Sequence, residues 1–412
     1  MRLDMKSWPK AKVNVAWGNA PGTGIIQLIF WLKAILNMAI CDYGLRPNRA
    51  AAFHSPGALP QATVVIGFRP RRTFSVIALF ASLAICVSIG TAAAGKSPEI
   101  RVGIIGLDTS HAIAFTKLLN GENPPEELAN CRVVAAYPKG SPDIESSVSR
   151  VPGYTAEVEK MGVKIVVSID ELLTQVDAVL LETNDGRPHL EQALPVLRAK
   201  KRLFVDKPMA GSLADVIAIF DAAKASGTPV FSSSSLRYGK GVQAVRGGSI
   251  GEVLGCDTYS PCSLEATHPD FFWYGIHGVE PLFAVMGTGC ESVSRVTAPD
   301  SDVAVGLWKG GRIGTFRGLR EGKLSYGGTA FGSDNIAPLG DYDGYEPLVV
   351  EIVKFFRGGE APITAEETIE VFAFMTAADE SKRQGGKPVL VKPLIEQARV
   401  EARERLAQLG AN

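Results

Sequence analysis

Short apolar runs alternate with helix-like stretches from residue 100 to residue 233. Residues 100–105 form the first run and end at Gly106, and a helical pattern follows over 111–119. Further runs cover 132–137, 164–168, 178–182, 202–205 and 230–233. The third leads into a short helix from Ile169, the fourth into a helix over 189–199, and the fifth into one over 213–226. Runs this short, apolar on both faces and separated by helices, predict a doubly wound parallel sheet. After Tyr238 the texture changes. Stretches 302–308 and 312–319 flank Lys309-Gly310-Gly311 and predict a β-hairpin, with further strands over 253–259 and 324–331 and helices over 346–356 and 365–383. The expected class is α/β: an N-terminal Rossmann domain with a doubly wound parallel sheet over 98–235, then a C-terminal α+β domain with a largely antiparallel sheet over 236–390. A last helix is expected over 391–412.

The first hundred residues read differently. Arg69-Pro70-Arg71-Arg72 precedes an apolar run over 74–90, which closes on Thr91-Ala92-Ala93-Ala94. A basic start, an apolar centre and an Ala-x-Ala end make a signal peptide, here over 70–94, and the paired arginines before Phe74 resemble a twin-arginine signal. Export to the periplasm or cell envelope is the expectation, with no stable membrane insertion after cleavage; an uncleaved anchor is the rival. Residues 1–69 read poorly as a domain. Either translation starts near Val64 or Val65, or the apolar stretch 24–40 is an extra membrane helix.

Composition narrows the partners. The 43 Lys+Arg balance 43 Asp+Glu, so no net field draws the chain to nucleic acid or an anionic membrane. The four cysteines beyond residue 94, Cys131, Cys256, Cys262 and Cys290, form no CxxC pair and read as buried thiols.

Candidate chemistry sits at strand ends, where open α/β sheets bind ligands. In Gly106-Leu107-Asp108-Thr109-Ser110-His111, only Gly106 fills one of three expected glycine positions of a dinucleotide loop. Asp108 holds the second, where it either caps the following helix, as Thr109 and Ser110 also can, or reaches a ligand. His111 holds the third and is either structural or a phosphate or substrate contact. The second run ends in Tyr137-Pro138-Lys139-Gly140-Ser141 with no acid for a ribose; Lys139 and Ser141 are either a solvated turn or contacts to a 2′-phosphate. NAD and NADP both stay open.

Three more stretches follow in order: 183–189 with Asn184 and His189, Asp206-Lys207-Pro208, and Ser235-Leu236-Arg237-Tyr238. Together they resemble the Gfo/Idh/MocA family, whose fifth-strand motif is normally Glu-Lys-Pro, and the resemblance runs from about residue 100 to 390. It implies an NAD(P)-dependent oxidoreductase for a small polyhydroxylated molecule such as a sugar or polyol, and a homo-oligomer. It implies Lys207 and His277 as catalytic groups, with Asp206 holding the lysine and Pro208 shaping its approach. The family's Asp-x-x-x-His motif reads Trp273-Tyr274-Gly275-Ile276-His277 here. Trp273 cannot carry a proton, and Tyr274 is the substitute donor. Arg237, Tyr238 and Trp273 are expected at the substrate, with an interdomain salt bridge as the other reading of Arg237. Gly106, Asp108, Thr109, Ser110, His111, Asn184, His189, Asp206, Lys207 and Pro208 are expected at the cofactor. No metal is expected. The unusual loop and Trp273 also admit a non-catalytic nucleotide- or sugar-binding homologue, and a glycosidase using NAD transiently is a third reading.

Overall fold

The computed structural model describes residues 99–411. The signal peptide, the anchor alternative and the upstream segment therefore lie outside the described residues. Among the described residues no helix is long and apolar enough to cross a membrane.

Six strands form the first sheet: β1 (Ile100–Ile105), β2 (Cys131–Tyr137), β3 (Lys164–Ile165), β4 (Ala178–Leu181), β5 (Arg202–Val205) and β6 (Val230–Ser232). Their order is β3-β2-β1-β4-β5-β6, every pair parallel. The order reverses between β1 and β4, and that crossover opens the ligand crevice of a Rossmann fold. Helices α1 (Ser110–Asn120), α2 (Glu145–Lys160), α3 (Ile169–Leu173), α4 (His189–Arg198) and α5 (Leu213–Ser226) connect the strands. The sequence pattern gave no sign of α2. It buries only Ser147 and Val158 fully and carries Pro152 inside, so it has no apolar stripe to read.

The second sheet has seven strands. They are β7 (Val253–Pro261), β8 (Cys290–Thr297), β9 (Ser301–Trp308), β10 (Ile313–Leu319), β11 (Gly327–Gly332), β12 (Ile336–Pro338) and β13 (Val389–Leu390), in the order β12-β11-β7-β10-β9-β8-β13. All pairs are antiparallel except β7 with β10. The predicted hairpin joins β9 to β10, with Gly310 and Gly311 both at positive φ (77° and 81°). After α6 (Lys240–Arg246) and β7, helix α7 (Ile276–Met286) packs on the inner face of this sheet, and α9 (Ala365–Arg383) lies beside it.

Two helices do not respect the expected domain boundary. Helix α8 (Glu346–Phe356) belongs to the second domain by sequence, yet its apolar face packs into the first. It shares a core with Val102, Phe115 and Phe204, and Phe355 meets Phe231 edge-on at 4.8 Å. The final helix, α10 (Val391–Gln408), lies on α5, which is buried almost all round because α9 and α10 cover its outer side. The two sheets are thus clamped together from both sides of the crevice. The four cysteines are free and buried, as their scatter implied.

Candidate active site at the sheet crossover

The loop after β1 is shaped by one glycine. Gly106 has φ +92°, and a Cβ there would stand 2.4 Å from the Thr183 backbone nitrogen, so only glycine lets the ends of β1 and β4 close up. Asp108 follows, with no exposed surface. Its carboxylate accepts the Asn184 backbone N–H (2.9 Å) and the Ser147 hydroxyl (2.7 Å). Thr109 caps α1 by accepting the His111 N–H. Asp108 is therefore neither cap nor ligand: it bolts the first loop to the fourth-strand loop and to α2.

Behind that loop lie two acids and an imidazole. Asp206 follows directly after β5, and its Oδ2 is 2.8 Å from His111 Nδ1 and 3.9 Å from Lys207 Nζ. Burial opposes its ionisation, but the neighbouring imidazole and ammonium hold its carboxyl down at about 2. Asp206 and Lys207 pair at 3.9 Å, too long for the expected hydrogen bond, and His111 is the nearer partner. Glu182, at the end of β4, is fully buried, and burial together with the Asp206 charge pushes its carboxyl far above the usual range. Sequence reading passed over Glu182 as the last residue of a strand. An acid closing an otherwise apolar run was the available signal.

A cavity of about 350 Å³ opens in front of these groups, within the range of small-molecule sites, about 300–1,000 Å³. Thr109, Ser110, His111, Asn184 and Lys207 line it from the first domain. Trp273, Tyr274 and His277 line it from the second. They are carried there by a π-helical turn, Phe271–Gly275, that runs into α7. His277 Nδ1 is 2.8 Å from the Ser234 hydroxyl. Burial, reinforced by the Lys207 charge, pushes the imidazole well below its ordinary 6.5. The Tyr274 and Tyr326 hydroxyls are 3.1 Å apart, and Trp273 leans on His268 at 5.0 Å. Tyr326, Tyr342 and Tyr345 complete an aromatic wall, with Ser146 and Arg150 of α2 opposite. None of these five was singled out from sequence. The tyrosines come from loops beside β11 and α8, where no local pattern marks a site.

Several expected site residues lie elsewhere. Arg237 has no exposed surface and pairs with Glu280 (2.6 Å) and Glu367, so it ties α7 to α9 instead of meeting substrate. Tyr238 packs in the first domain's core. The two ring nitrogens of His189 face the carbonyls of Thr183 (2.7 Å) and Met209 (3.1 Å), which makes it structural. Pro208 follows Lys207 through a cis peptide and does not reach the cavity wall. Ser141 donates to Asp185 (2.6 Å), and Arg187 joins Asp185 to Asp143. These contacts link the loops after β2 and β4 beside a second depression that Lys139 borders.

Comparison with known proteins agrees with this architecture. Residues 100–234 match the oxidoreductase family with an NAD-binding Rossmann fold. An uncharacterised oxidoreductase of Streptococcus pneumoniae is 30% identical over 124 residues, which is 29% of this chain and 33% of that protein. The matched stretch thus spans about a third of that relative. Among solved structures, scyllo-inositol dehydrogenase of Lactobacillus casei, crystallised with NAD(H) and scyllo-inositol, aligns at TM-score 0.56 and 15% identity, over 71% of this chain and 99% of that one. The WlbA dehydrogenase of Bordetella pertussis, with NADH and UDP-GlcNAcA, aligns at 0.56 and 19% identity, over 71% and 98%. At these identities the likeness speaks for the fold.

Proposed function

Given that this chain belongs, through residues 100–234, to the Gfo/Idh/MocA oxidoreductases with their NAD-binding Rossmann fold, we propose that it is an NAD(P)-dependent oxidoreductase acting on a sugar, polyol or related polyhydroxylated compound. The observation that carries this reading is the meeting of Lys207 and His277, from two domains, on one cavity at the sheet crossover.

The residues present accommodate the nucleotide unevenly. Ser110 and the N-terminus of α1 suit a pyrophosphate, and Asn184 and Lys207 line the same cavity. The Asp108 and Asp185 carboxylates are turned inward onto donors, so neither is presented to a phosphate. At the outer end the Arg187–Asp143 pair spans the loops after β2 and β4. It is half exposed and weak enough to be displaced. When bound, the nicotinamide would donate or accept the hydride. The chain's own groups handle the oxygen and its proton. The Lys207 ammonium stabilises charge developing on a substrate oxygen. His277, held neutral by burial, is free to accept the proton. The tyrosine and serine hydroxyls around them suit a ligand rich in hydroxyl groups.

One observation favours a second reading, a binding protein without catalysis. Trp273 stands where the family carries an acid, and its indole holds no transferable proton. The two readings separate in one assay. Purified protein is supplied with NAD+ or NADP+ and a panel of inositols, aldoses and uronic acids, and reduced nicotinamide is followed by absorbance. Turnover that falls about 10²–10⁴-fold in Lys207→Ala supports the enzyme. Nucleotide or sugar binding without turnover on any panel member supports the binding protein. Export through the signal at 70–94 belongs to the same proposal, and cell fractionation with sequencing of the native N-terminus tests it.

A further inference from the structure

We propose that His111, Glu182 and Asp206 form a binding site for one divalent first-row metal ion, Mn²⁺ through Zn²⁺, at the floor of the cavity. The inference does not rest on the nucleotide reading. It starts from an imbalance in the protein interior. Glu182 and Asp206 have no exposed surface; neither Glu182 oxygen has a hydrogen-bond partner, and Asp206 meets the His111 imidazole at 2.8 Å and the Lys207 ammonium at 3.9 Å. A buried carboxylate without a donor is costly, and two side by side are more so, so such groups are ordinarily paired or bound to a cation.

The geometry narrows the choice. His111 Nδ1 lies 2.8 Å from Asp206 Oδ2, so these two potential ligand atoms already converge. Glu182 has no hydrogen-bond partner of its own to draw it away. One imidazole nitrogen and one oxygen from each acid instead lie within 4.8 Å of one another. An ion about 2.0–2.2 Å from each ligand needs them within roughly 4.4 Å, a shift of a few tenths of an ångström. Lys207 stands 3.9 Å from Asp206 and offsets its charge, and a dication would supply the counter-charge that an ionised Glu182 lacks. One imidazole with two carboxylates suits Mn²⁺, Fe²⁺ and Zn²⁺ better than thiophilic ions.

Three protein ligands leave coordination open, as in sites that handle substrate. His111 also lines the cavity, so the open side faces the space where a hydroxylated ligand would lie. The ring is steadied for this by Tyr345 (4.7 Å, edge-on) and Phe115 (5.6 Å, stacked).

The test uses the full chain, stripped with chelator and then dialysed against Co²⁺, Mn²⁺ or Zn²⁺ alone. Elemental analysis gives stoichiometry, and the visible absorption of Co²⁺ reports its ligands. One ion per chain is expected, with Glu182→Gln and His111→Gln each lowering occupancy at least tenfold while circular dichroism stays native. Should either variant fail to fold, the Co²⁺ spectrum of the wild type still decides, because His and carboxylate ligands give characteristic bands. Two results overturn the site: wild-type protein that binds no stoichiometric metal, or metal that survives in folded Glu182→Gln. NADH titration of the metal-free protein is run in parallel, so that failure of the metal site and failure of the nucleotide reading remain distinct.

Discussion

His277 shows how one side chain's surroundings set both its chemistry and a measurable pH response. It is buried beside the Lys207 charge, so its folded pKa lies below the 6.5 of the unfolded chain. Below pH 6.5 the unfolded state therefore binds more protons than the native state. The His277 contribution to stability is full above 6.5 and shrinks as pH falls toward the native pKa, by up to about 1.4 kcal/mol per pH unit. Urea denaturation of wild type and His277→Gln between pH 7.5 and 5.5 checks this. The wild type should lose stability more steeply, and parallel slopes would refute the depressed pKa. His189 is depressed as well and remains in both proteins, so the difference isolates His277. At this scale the sequence was only partly legible. Lys207 and His277, which a motif marks, both line the cavity. Asp108 and His189 prove to be internal ties, and Arg237 takes the salt-bridge alternative, because polar residues near a strand end are equally plausible as ligands or as ties and only packing decides. Glu182 was missed because it hides inside an apolar run.

Between elements, a buried ion network sets how the second domain faces the cavity. Arg237, in the turn after β6, joins Glu280 of α7 and Glu367 of α9, and α7 carries His277. Arg295 of β8 plays a matching part. It pairs with Asp270, Asp302 and Asp379, and Asp270 immediately precedes the π-helical turn bearing Trp273 and Tyr274. Removing Arg237 strands Glu280, whose carboxyl burial already disfavours as an anion. Arg237→Ala is expected to cost about 3–5 kcal/mol in chemical denaturation. Arg237→Met with Glu280→Leu should recover most of it; no recovery would mean the network is not an electrostatic tie. The six strands of the first sheet, four of the seven in the second and most helices were readable from sequence, because their apolar faces recur with the right period; β8, β12 and β13 were not. Helix α2 and the tyrosine loops were not, because they are positioned by long-range contacts that local pattern does not encode.

At the level of the whole molecule, the second sheet has one covered and one open face. On the open side Val296, Val305, Leu307, Ile313 and Tyr259 are exposed on adjacent strands, interleaved with Ser294, Thr315 and Arg317. A sheet face exposing apolar side chains on four adjacent strands is a candidate association surface. We expect homo-oligomers through it. Light scattering after gel filtration should give a multiple of the chain mass, reduced to the monomer by Leu307→Glu with Ile313→Lys; a wild-type monomer would exclude this face as an interface. The same scale explains the domain boundary. Apolar faces of α8 and α10 showed that helices exist, but not that each would cross to the other domain and clamp the crevice.

For the proposed activity that crevice must admit a dinucleotide past the inward-turned acids and the Arg187–Asp143 bridge. Calorimetric titration of NADH and NADPH into the purified full chain addresses this most directly. One dinucleotide per chain, bound at micromolar concentration or already present and displaced only on unfolding, is the predicted result. No binding of either nucleotide at millimolar concentration, in protein that is folded, would contradict it.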